Sequence, residues 1–233
     1  MTVLPQLMMP GGVTGTIAPF ISIITSSETE SASAATSFTR SNVNIGAAPT
    51  GGKRRFVFCV GQGTDGNSQQ ADFTSGCYID NSFLITEVVR NTSSYEAFGA
   101  VYYKEVPTGT TASCRVSWTG TVSQHNLAVI SILTGPGGFD VYDTDWEPQI
   151  GNSTSMTEFQ NVVEGGALIG GAVVKSGNIT ATGVTTRHTA SPGTAWMETY
   201  YDTDMAVETG RPIEAAKSQS TAGMLLICSL RPL

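Results

Sequence analysis

The chain has 233 residues, only 13% of them charged, and a formal net charge of −7 at pH 7. A chain of this length can bury a sizeable core, and all-β domains of this size are commonly single units. Lys and Arg occur singly except in Lys53-Arg54-Arg55, which we interpret as the solvated start of a strand. Because no basic stripe could neutralise a run of phosphates, we exclude nucleic acid as a partner.

Residues 1–17 have no hydrophobic periodicity, and Pro5 and Pro10 interrupt them. This segment lacks the basic start of a secretory signal, so we expect synthesis in a cytoplasm. No window of the chain reaches the ~18 apolar residues of a membrane span, so we expect no membrane insertion. We predict an extended N-terminal arm that contacts neighbouring proteins in an assembly. Its apolar side chains are Leu4, Leu7, Met8 and Met9.

Short strand patterns follow the arm. After "APFISIIT", the Ser/Thr/Ala-rich residues 26–37 are predicted to form a long surface loop. Strand patterns then recur in "SFTRSNVNIG", "RFVFCVG", "SGCYID", "SFLITEVVR", "YEAFGAVYYKEV", "TASCRVSW" and "NLAVISILTG". "RFVFCV" is apolar on both faces, which predicts a central strand. "SCRVSW" alternates, which directs Cys114, Val116 and Trp118 to the core.

The stretch from Tyr102 to Gly120, "YYKEVPTGTTASCRVSWTG", has two such runs on either side of a Pro-Thr-Gly-Thr corner. Two strand patterns joined by a short turn are typical of a β-hairpin. We therefore predict that these two strands pair with each other.

The second half of the chain contains the strand patterns "GALIGGAVV", "ITATGVTTRHT", "AWMETYYD" and "AGMLLICSL". The last of these is very apolar, and we expect it to pair in the middle of a sheet. The only amphipathic candidates for helices, "SMTEFQNVV" and "GRPIEAAKS", lack a cap and a repeat over three turns. Sheets without crossover helices must be mostly antiparallel. We predict an all-β fold, an antiparallel, jelly-roll-like β-sandwich that forms a single domain over residues 18–233.

Candidate catalytic residues are few. His125 and His188 are the only histidines, and neither stands in a nucleophile motif. We expect His125 to be exposed at the start of a strand. The glycine-rich stretches lack the Lys-Ser ending of a phosphate loop, and we interpret them as turns.

Cysteine spacing gives no sign of a metal or redox site, and we expect no cofactor. The four cysteines are far apart in the sequence, and a reducing cytoplasm favours free buried thiols over disulfides. They are Cys59, Cys77, Cys114 and Cys228. Asp65, Asn67 and Asp72 could offer oxygen ligands to Ca²⁺, but they lack the order of an EF-hand, so we interpret them as a polar loop.

Two stretches combine aromatic and acidic residues, "GGFDVYDTDWEPQ" and "AWMETYYDTDM". Tyr and Trp are enriched at interfaces, and aromatic faces beside carboxylates also suit sugar contact. The candidate contact residues are Phe139, Asp140, Tyr142, Asp143, Asp145, Trp146, Trp196, Tyr200 and Tyr201. The simpler interpretation of the first stretch is a long crossover loop whose Trp and Phe pack on the sandwich.

A glycosidase pair could be drawn from Asp140, Asp143, Asp145 and Glu147, but a loop sequence does not give the separation that such carboxylates require.

The order of these elements resembles a loosely defined group of β-sandwich proteins encoded among the virion genes of tailed bacteriophages. These are known as tail-fibre, head-decoration or minor structural proteins. The resemblance covers residues 36–230 and is most specific in "EVPTGTT" and in the step from "VNIG" to "RRFVF". It implies an architecture and transfers no active-site residue.

The resemblance implies a non-enzymatic virion structural protein, assembled through its arm and loops on the capsid or tail surface as a decoration, spike or fibre component. Its expected partners are other virion proteins and, as a homo-oligomer, copies of itself. The alternative is a carbohydrate- or receptor-binding module for host attachment, with a host surface glycan as ligand.

Overall fold

A computed structural model describes residues 19–64, 71–72, 76–90, 96–149, 153–203 and 205–233. These residues form sixteen β-strands, and none of them is helical. In the first half the strands are β1 (Ile21–Ser31), β2 (Ala35–Asn44), β3 (Arg54–Thr64), β4 (Tyr78–Ile79), β5 (Thr86–Arg90), β6 (Ala97–Glu105), β7 (Thr111–Val122) and β8 (Gln124–Thr134). In the second half they are β9 (Phe139–Gln149), β10 (Ser155–Val162), β11 (Ala167–Val174), β12 (Ile179–Thr182), β13 (Thr186–Ala190), β14 (Trp196–Asp202), β15 (Glu208–Lys217) and β16 (Gly223–Pro232).

The strands make four antiparallel sheets that stack as four layers. Sheet I is five-stranded, in the order β1-β8-β3-β6-β5, and sheet II is three-stranded, β2-β7-β4. Sheet III is β13-β14-β11-β16-β9, and sheet IV is β10-β15-β12. One hydrophobic core lies between sheets I and III, and two further cores lie between I and II and between III and IV. The layer order is therefore II, I, III, IV.

The second half repeats the topology of the first. Adding eight to each strand number in sheets I and II reproduces the neighbours in sheets III and IV. Each half is a jelly roll, in which strands 1-8-3-6 lie in one sheet and 2-7-4 in the other. Because β1 lies against β13 and β5 against β9, an approximate twofold axis parallel to the strands relates the halves. The all-β, jelly-roll-like prediction is confirmed.

The central strands have both faces buried, as their continuous apolar sequence predicts. In β3, Phe56 and Phe58 face the shared core between sheets I and III, whereas Val57 and Cys59 face sheet II. Glycine lets the layers approach closely at Gly61, where an added Cβ would lie 2.7 Å from a methyl carbon of Val116. The interior positions predicted for β3 and for the last strand are confirmed.

Two local predictions are wrong. Residues 26–37 are not a loop, because β1 and β2 occupy most of them and leave only a short turn. The acidic stretch at 139–149 is the edge strand β9 rather than a crossover loop. Polar strands such as these lack the apolar run by which strands are recognised. The two amphipathic stretches that lacked the features of helices are the strands β10 and β15.

The predicted hairpin from Tyr102 to Gly120 is also wrong. β6 pairs with β3 and β5 in sheet I, whereas β7 pairs with β2 and β4 in sheet II. The Pro-Thr-Gly-Thr corner is therefore an arch between two layers. A local turn pattern cannot distinguish an arch from a hairpin, because the pairing partners are distant in sequence.

Arg55 holds this arch, which corrects its predicted place on a solvated face. Its side chain is fully buried. The guanidinium donates to the carbonyl oxygens of Val106, Thr108 and Gly109, at 2.9, 2.6 and 3.0 Å, and to those of Gly46 and Ala47. Five carbonyl acceptors satisfy the buried cation without a carboxylate, and desolvation by burial lowers its pKa.

All four cysteines are free and buried, as predicted. Residues 1–17, with the predicted arm, lie outside the described residues. The single domain predicted for residues 18–233 stays a prediction, because two jelly rolls that share one core can be counted as one domain or as two.

Candidate interaction surfaces

The aromatic residues singled out in the sequence do not form one surface. Phe139 packs in the shared core, with its ring centroid 4.8 Å from that of Phe56 and 5.0 Å from that of Tyr103. Trp146 and Tyr201 also pack against this core and are only partly exposed. Their main role is to join the two halves.

Trp196 and Tyr200 belong to the core between sheets III and IV. Both donate to the carboxylate of Glu198, from the indole nitrogen at 3.3 Å and from the phenol at 2.9 Å. Glu198 is 5% exposed, and desolvation raises its pKa. Met197 lies in the shared core instead, because successive residues of a strand point to opposite faces of the sheet.

The carboxylates of β9 bridge sheets III and IV. Asp143 accepts from the backbone and side-chain nitrogens of Asn161, both at 2.9 Å, and Glu147 accepts from the backbone nitrogen of Thr157. Glu158 faces Asp145 and Glu147; desolvation and these carboxylates raise its pKa to about 8. These contacts join β10 to β9, and the carboxylates of Asp143 and Glu147 are both hydrogen-bonded to β10.

Asp140 and Tyr142 lie beside Arg231 near the surface. Arg231 donates to Asp140 at 2.8 Å, and its guanidinium carbon lies 5.2 Å from the ring centroid of Tyr142. Tyr142 is 43% exposed. Tyr142 and Asp145 are the exposed members of the predicted contact set, and both are open to a partner.

Part of the predicted set lies outside the described residues. This holds for the arm residues Leu4, Leu7, Met8 and Met9, and for Asp65 and Asn67 of the suggested Ca²⁺ loop. Among the described residues, no group of three or more His, Cys, Asp or Glu side chains is placed to hold a metal ion.

A polar seam that the sequence did not reveal crosses the junction between the halves. Gln62 is fully buried and donates to the carbonyl oxygens of Ala172 and Glu198, at 2.9 and 3.1 Å. The side-chain amide of Asn126 donates to the side-chain carbonyl oxygen of Gln62 and to the carboxylate of Glu28, both at 3.2 Å. Desolvation raises the pKa of Glu28 to about 7. In the sequence, these hydrogen bonds are indicated only by single polar residues, such as Gln62 and Asn126, within otherwise apolar strands.

His125 is not exposed, contrary to expectation. It is 1% exposed and packs edge-on against Phe38, with ring centroids 4.6 Å apart. Burial lowers its pKa, which keeps the imidazole neutral. His188 contacts the hydroxyl of Ser26 at 3.1 Å across the junction between the halves.

Exposed apolar side chains gather at one end of the molecule. We call this the lower end and define it by the described loop residues 45–53, 80–85, 106–110, 135–138, 163–166 and 205–207, with residues 19, 20 and 233. Leu84 is 87%, Val207 69%, Phe83 52% and Leu233 45% exposed there. The exposed Ile24, Val141 and Tyr142 lie within the first four residues of β1 and β9, next to this end. Phe159, on the outer face of sheet IV, is the exception among the large exposed apolar residues described.

The first described residue lies in a groove at this lower end. The groove measures about 650 Å³ and is lined by Pro19, Val163, Glu164, Gly165, Val207, Arg231 and Pro232. The described chain therefore begins at the apolar end of the molecule, close to the second jelly roll.

A second groove, of about 690 Å³, lies between β1 and β2 on the open side of the first jelly roll. Its lining is rich in hydroxyl and amide groups: Thr25, Ser26, Ser27, Thr29, Phe38, Thr39, Arg40, Ser41, Asn42, Val43 and Asn44. Three of these residues, Ser26, Ser27 and Thr29, come from the stretch that was predicted to be a loop, and seven come from the strand pattern "SFTRSNVNIG". Sequence reasoning missed the groove because it depends on how β1 and β2 lie in two different sheets.

Neither the models of protein families nor the curated proteins give a match to this sequence. The part of the chain that the structure describes contains no helix long and apolar enough to cross a membrane.

Proposed function

We propose that this protein is a non-enzymatic structural component of a bacteriophage particle, which assembles with copies of itself and with other virion proteins. Its N-terminal segment and its lower end would form the contacts. The observation that carries the proposal is the concentration of exposed apolar side chains at the end where residues 19 and 233 lie.

The architecture supports this role. Sixteen strands in four layers, with short connections and buried hydrogen bonds between the halves, form a rigid block. Such a block suits a protein that acts through the surface it presents to other proteins. Jelly rolls of this kind are common in viral capsids. Exposed apolar patches on such a block mark sites of protein–protein contact. The sequence resemblance to phage virion proteins points in the same direction.

The test is the mass of the full-length protein in solution, measured by light scattering over a range of concentrations. We expect a discrete oligomer, and we expect the double change Leu84→Ser and Val207→Ser, or removal of residues 1–16, to weaken it. Phe159→Ser is the matched control, since Phe159 is 61% exposed but lies away from the lower end. A protein that stays monomeric at all concentrations and never associates with particles would refute the proposal.

A further inference from the structure

The groove between β1 and β2 contains a cation with free donors. Arg40 is half-buried and donates from Nη1 to the carbonyl oxygens of Ser27 and Leu127, at 2.8 and 3.0 Å. Nη2 donates to the Ser27 hydroxyl at 2.9 Å. A guanidinium has five N–H groups, so the Nε hydrogen and one Nη2 hydrogen have no acceptor among the described residues. Arg40 also forms no salt bridge with a described carboxylate.

The corresponding place in the second jelly roll is closed by carboxylates. Both β1 and β9 have a bulge at their fourth residue, Ile24 and Tyr142, and the positions after it correspond. Thr25, Ser27 and Thr29 in β1 thus stand where Asp143, Asp145 and Glu147 stand in β9. There, Asp143 and Glu147 accept from backbone nitrogens of β10, whereas the same side of the first half remains an open groove.

The backbone at the rim of the groove has an unusual conformation. β2 has an extra residue relative to β7 between Arg40 and Val43, and Asn42 has a φ of 55°. A left-handed conformation costs about 1 kcal/mol for a residue other than glycine, although Asn tolerates it better than most. In the second half the extra residue lies on β15, where Gly210 takes the positive φ. The bulge on β2 brings the Ser41 and Asn42 side chains to the rim.

We propose that this groove binds an acidic carbohydrate, with its carboxylate on Arg40. The groove volume suits a short oligosaccharide, since ligand sites span roughly 300–1,000 Å³. Hydroxyl and amide side chains match the hydroxyl groups of a sugar, and Phe38 adds apolar surface to the lining. A carboxylate supplies two acceptors to the two free N–H groups, a geometry that guanidinium recognises well. This activity is additional to the proposed assembly role and does not depend on it.

The test uses the full-length protein and a panel of oligosaccharides that contain uronic or sialic acids, each beside its carboxyl-reduced form. Binding is measured by calorimetry. We expect at least one acidic member to bind and its reduced form to bind at least about tenfold more weakly. Absence of binding across the panel at millimolar concentration, or equal binding of acidic and reduced forms, would overturn the proposal.

Asn42→Asp places a negative charge, the same sign as that of the sugar carboxylate, at the rim of the groove. Asp tolerates the left-handed backbone at this position. We expect it to weaken binding of the acidic sugar by at least about tenfold, because like charges repel in the groove. Thr180→Asp, on an exposed position of β12, is the matched control and should change affinity less than about twofold, since surface charges beyond a Debye length are screened. Equal affinities for the two variants would place the sugar elsewhere and overturn the proposal.

Discussion

The two jelly rolls have the same strand order but different chemistry at matched places. At the lower end of the first half Arg55 ties two loops together, whereas Gly166 stands at this position in the second half. An added Cβ on Gly166 would lie 2.7 Å from the carbonyl oxygen of Leu230. On the open side, the first half has hydroxyl groups and Arg40, and the second half has carboxylates. Topology therefore does not determine which side chains stabilise a jelly roll.

The shared features are those of the buried layers. Tyr102 and Tyr200 stand at equivalent positions, each fully buried between an inner and an outer sheet. The next residues, Tyr103 and Tyr201, both face the shared core. The halves thus agree where the layers meet and differ where the sheets open to solvent. Four predictions test this comparison.

The largest effect should follow from a charge in either outer core. Val116→Asp in the first half and Ile213→Asp in the second each bury an unpaired carboxylate at a fully buried position. We expect each to abolish folding, because burying an unpaired charge costs more than the total stability of ~5–15 kcal/mol. Circular dichroism and solubility would show the loss. Thr111→Asp, at an exposed position of β7, is the control.

If the shared core couples the halves, each of these variants should unfold the entire chain. A variant in which one half retains strand structure and amide protection, by hydrogen exchange, would show instead that each jelly roll folds independently.

Removing Arg55, whose guanidinium holds the arch, should cause the next largest loss of stability. Arg55→Met leaves five carbonyl groups without their donor, and we expect a loss of ~3–5 kcal/mol, as for breaking other buried charge networks. Arg54→Gln is the control, because its pair with Glu105 is partly exposed and worth at most ~1 kcal/mol. Denaturant unfolding measures both. A loss below that of Arg54→Gln would show that the first half, like the second, does not need this arginine.

A smaller effect should follow from cutting the polar seam between the halves. Gln62→Leu removes the donor to Ala172 and Glu198 and leaves Asn126 without one acceptor. We expect a loss of ~1–3 kcal/mol, the usual consequence of leaving buried polar groups unsatisfied. Thermal unfolding should then begin in one half before the other. A single transition at the wild-type temperature would mean that apolar contacts alone join the halves.

The smallest effect is a dependence of stability on pH. The pKa of Glu28 is raised to about 7 and that of Glu158 to about 8, from 4.5. Between pH 4.5 and these values the folded protein retains protons that the unfolded chain has lost, so stability falls as pH rises. Both carboxylates are partly exposed, so solvent screens their interactions and only a small part of these pKa shifts contributes to stability. We therefore expect the melting temperature to drop by about 2–4 °C from pH 5 to pH 8.

Glu158→Gln and Glu28→Gln should each flatten this slope, with the Glu158 contribution persisting to the higher pH. Glu208→Gln, whose carboxylate is exposed, is the control and should leave the slope unchanged. An unchanged slope in the double variant would assign the dependence to other groups.

Much of the fold could be predicted from the sequence because buried strands have a recognisable pattern of apolar residues. Continuous apolar runs in β3 and β16 predicted interior positions, and alternation in β7 predicted its buried face correctly. The edge strands β9 and β10 and the central strand β15 of sheet IV were missed, since polar residues on them are satisfied by contacts between strands and layers that the sequence does not show. The predicted contact set stays a prediction. Its members Phe139, Tyr200 and Tyr201 pack in or against the cores, because an aromatic residue in a strand pattern suits a core position as well as an interface.

By itself the sequence determined the class of the fold, the free buried thiols and the layers that must be apolar, because these depend on local composition and periodicity. Only the tertiary structure decided that the chain repeats one jelly roll twice, that Arg55 lies inside an arch, and that β1 and β2 frame a groove. Each of these features depends on pairing between residues that are tens of positions apart in the chain. The sequence of two polar strands is the same whether the strands pair with each other or lie in different sheets.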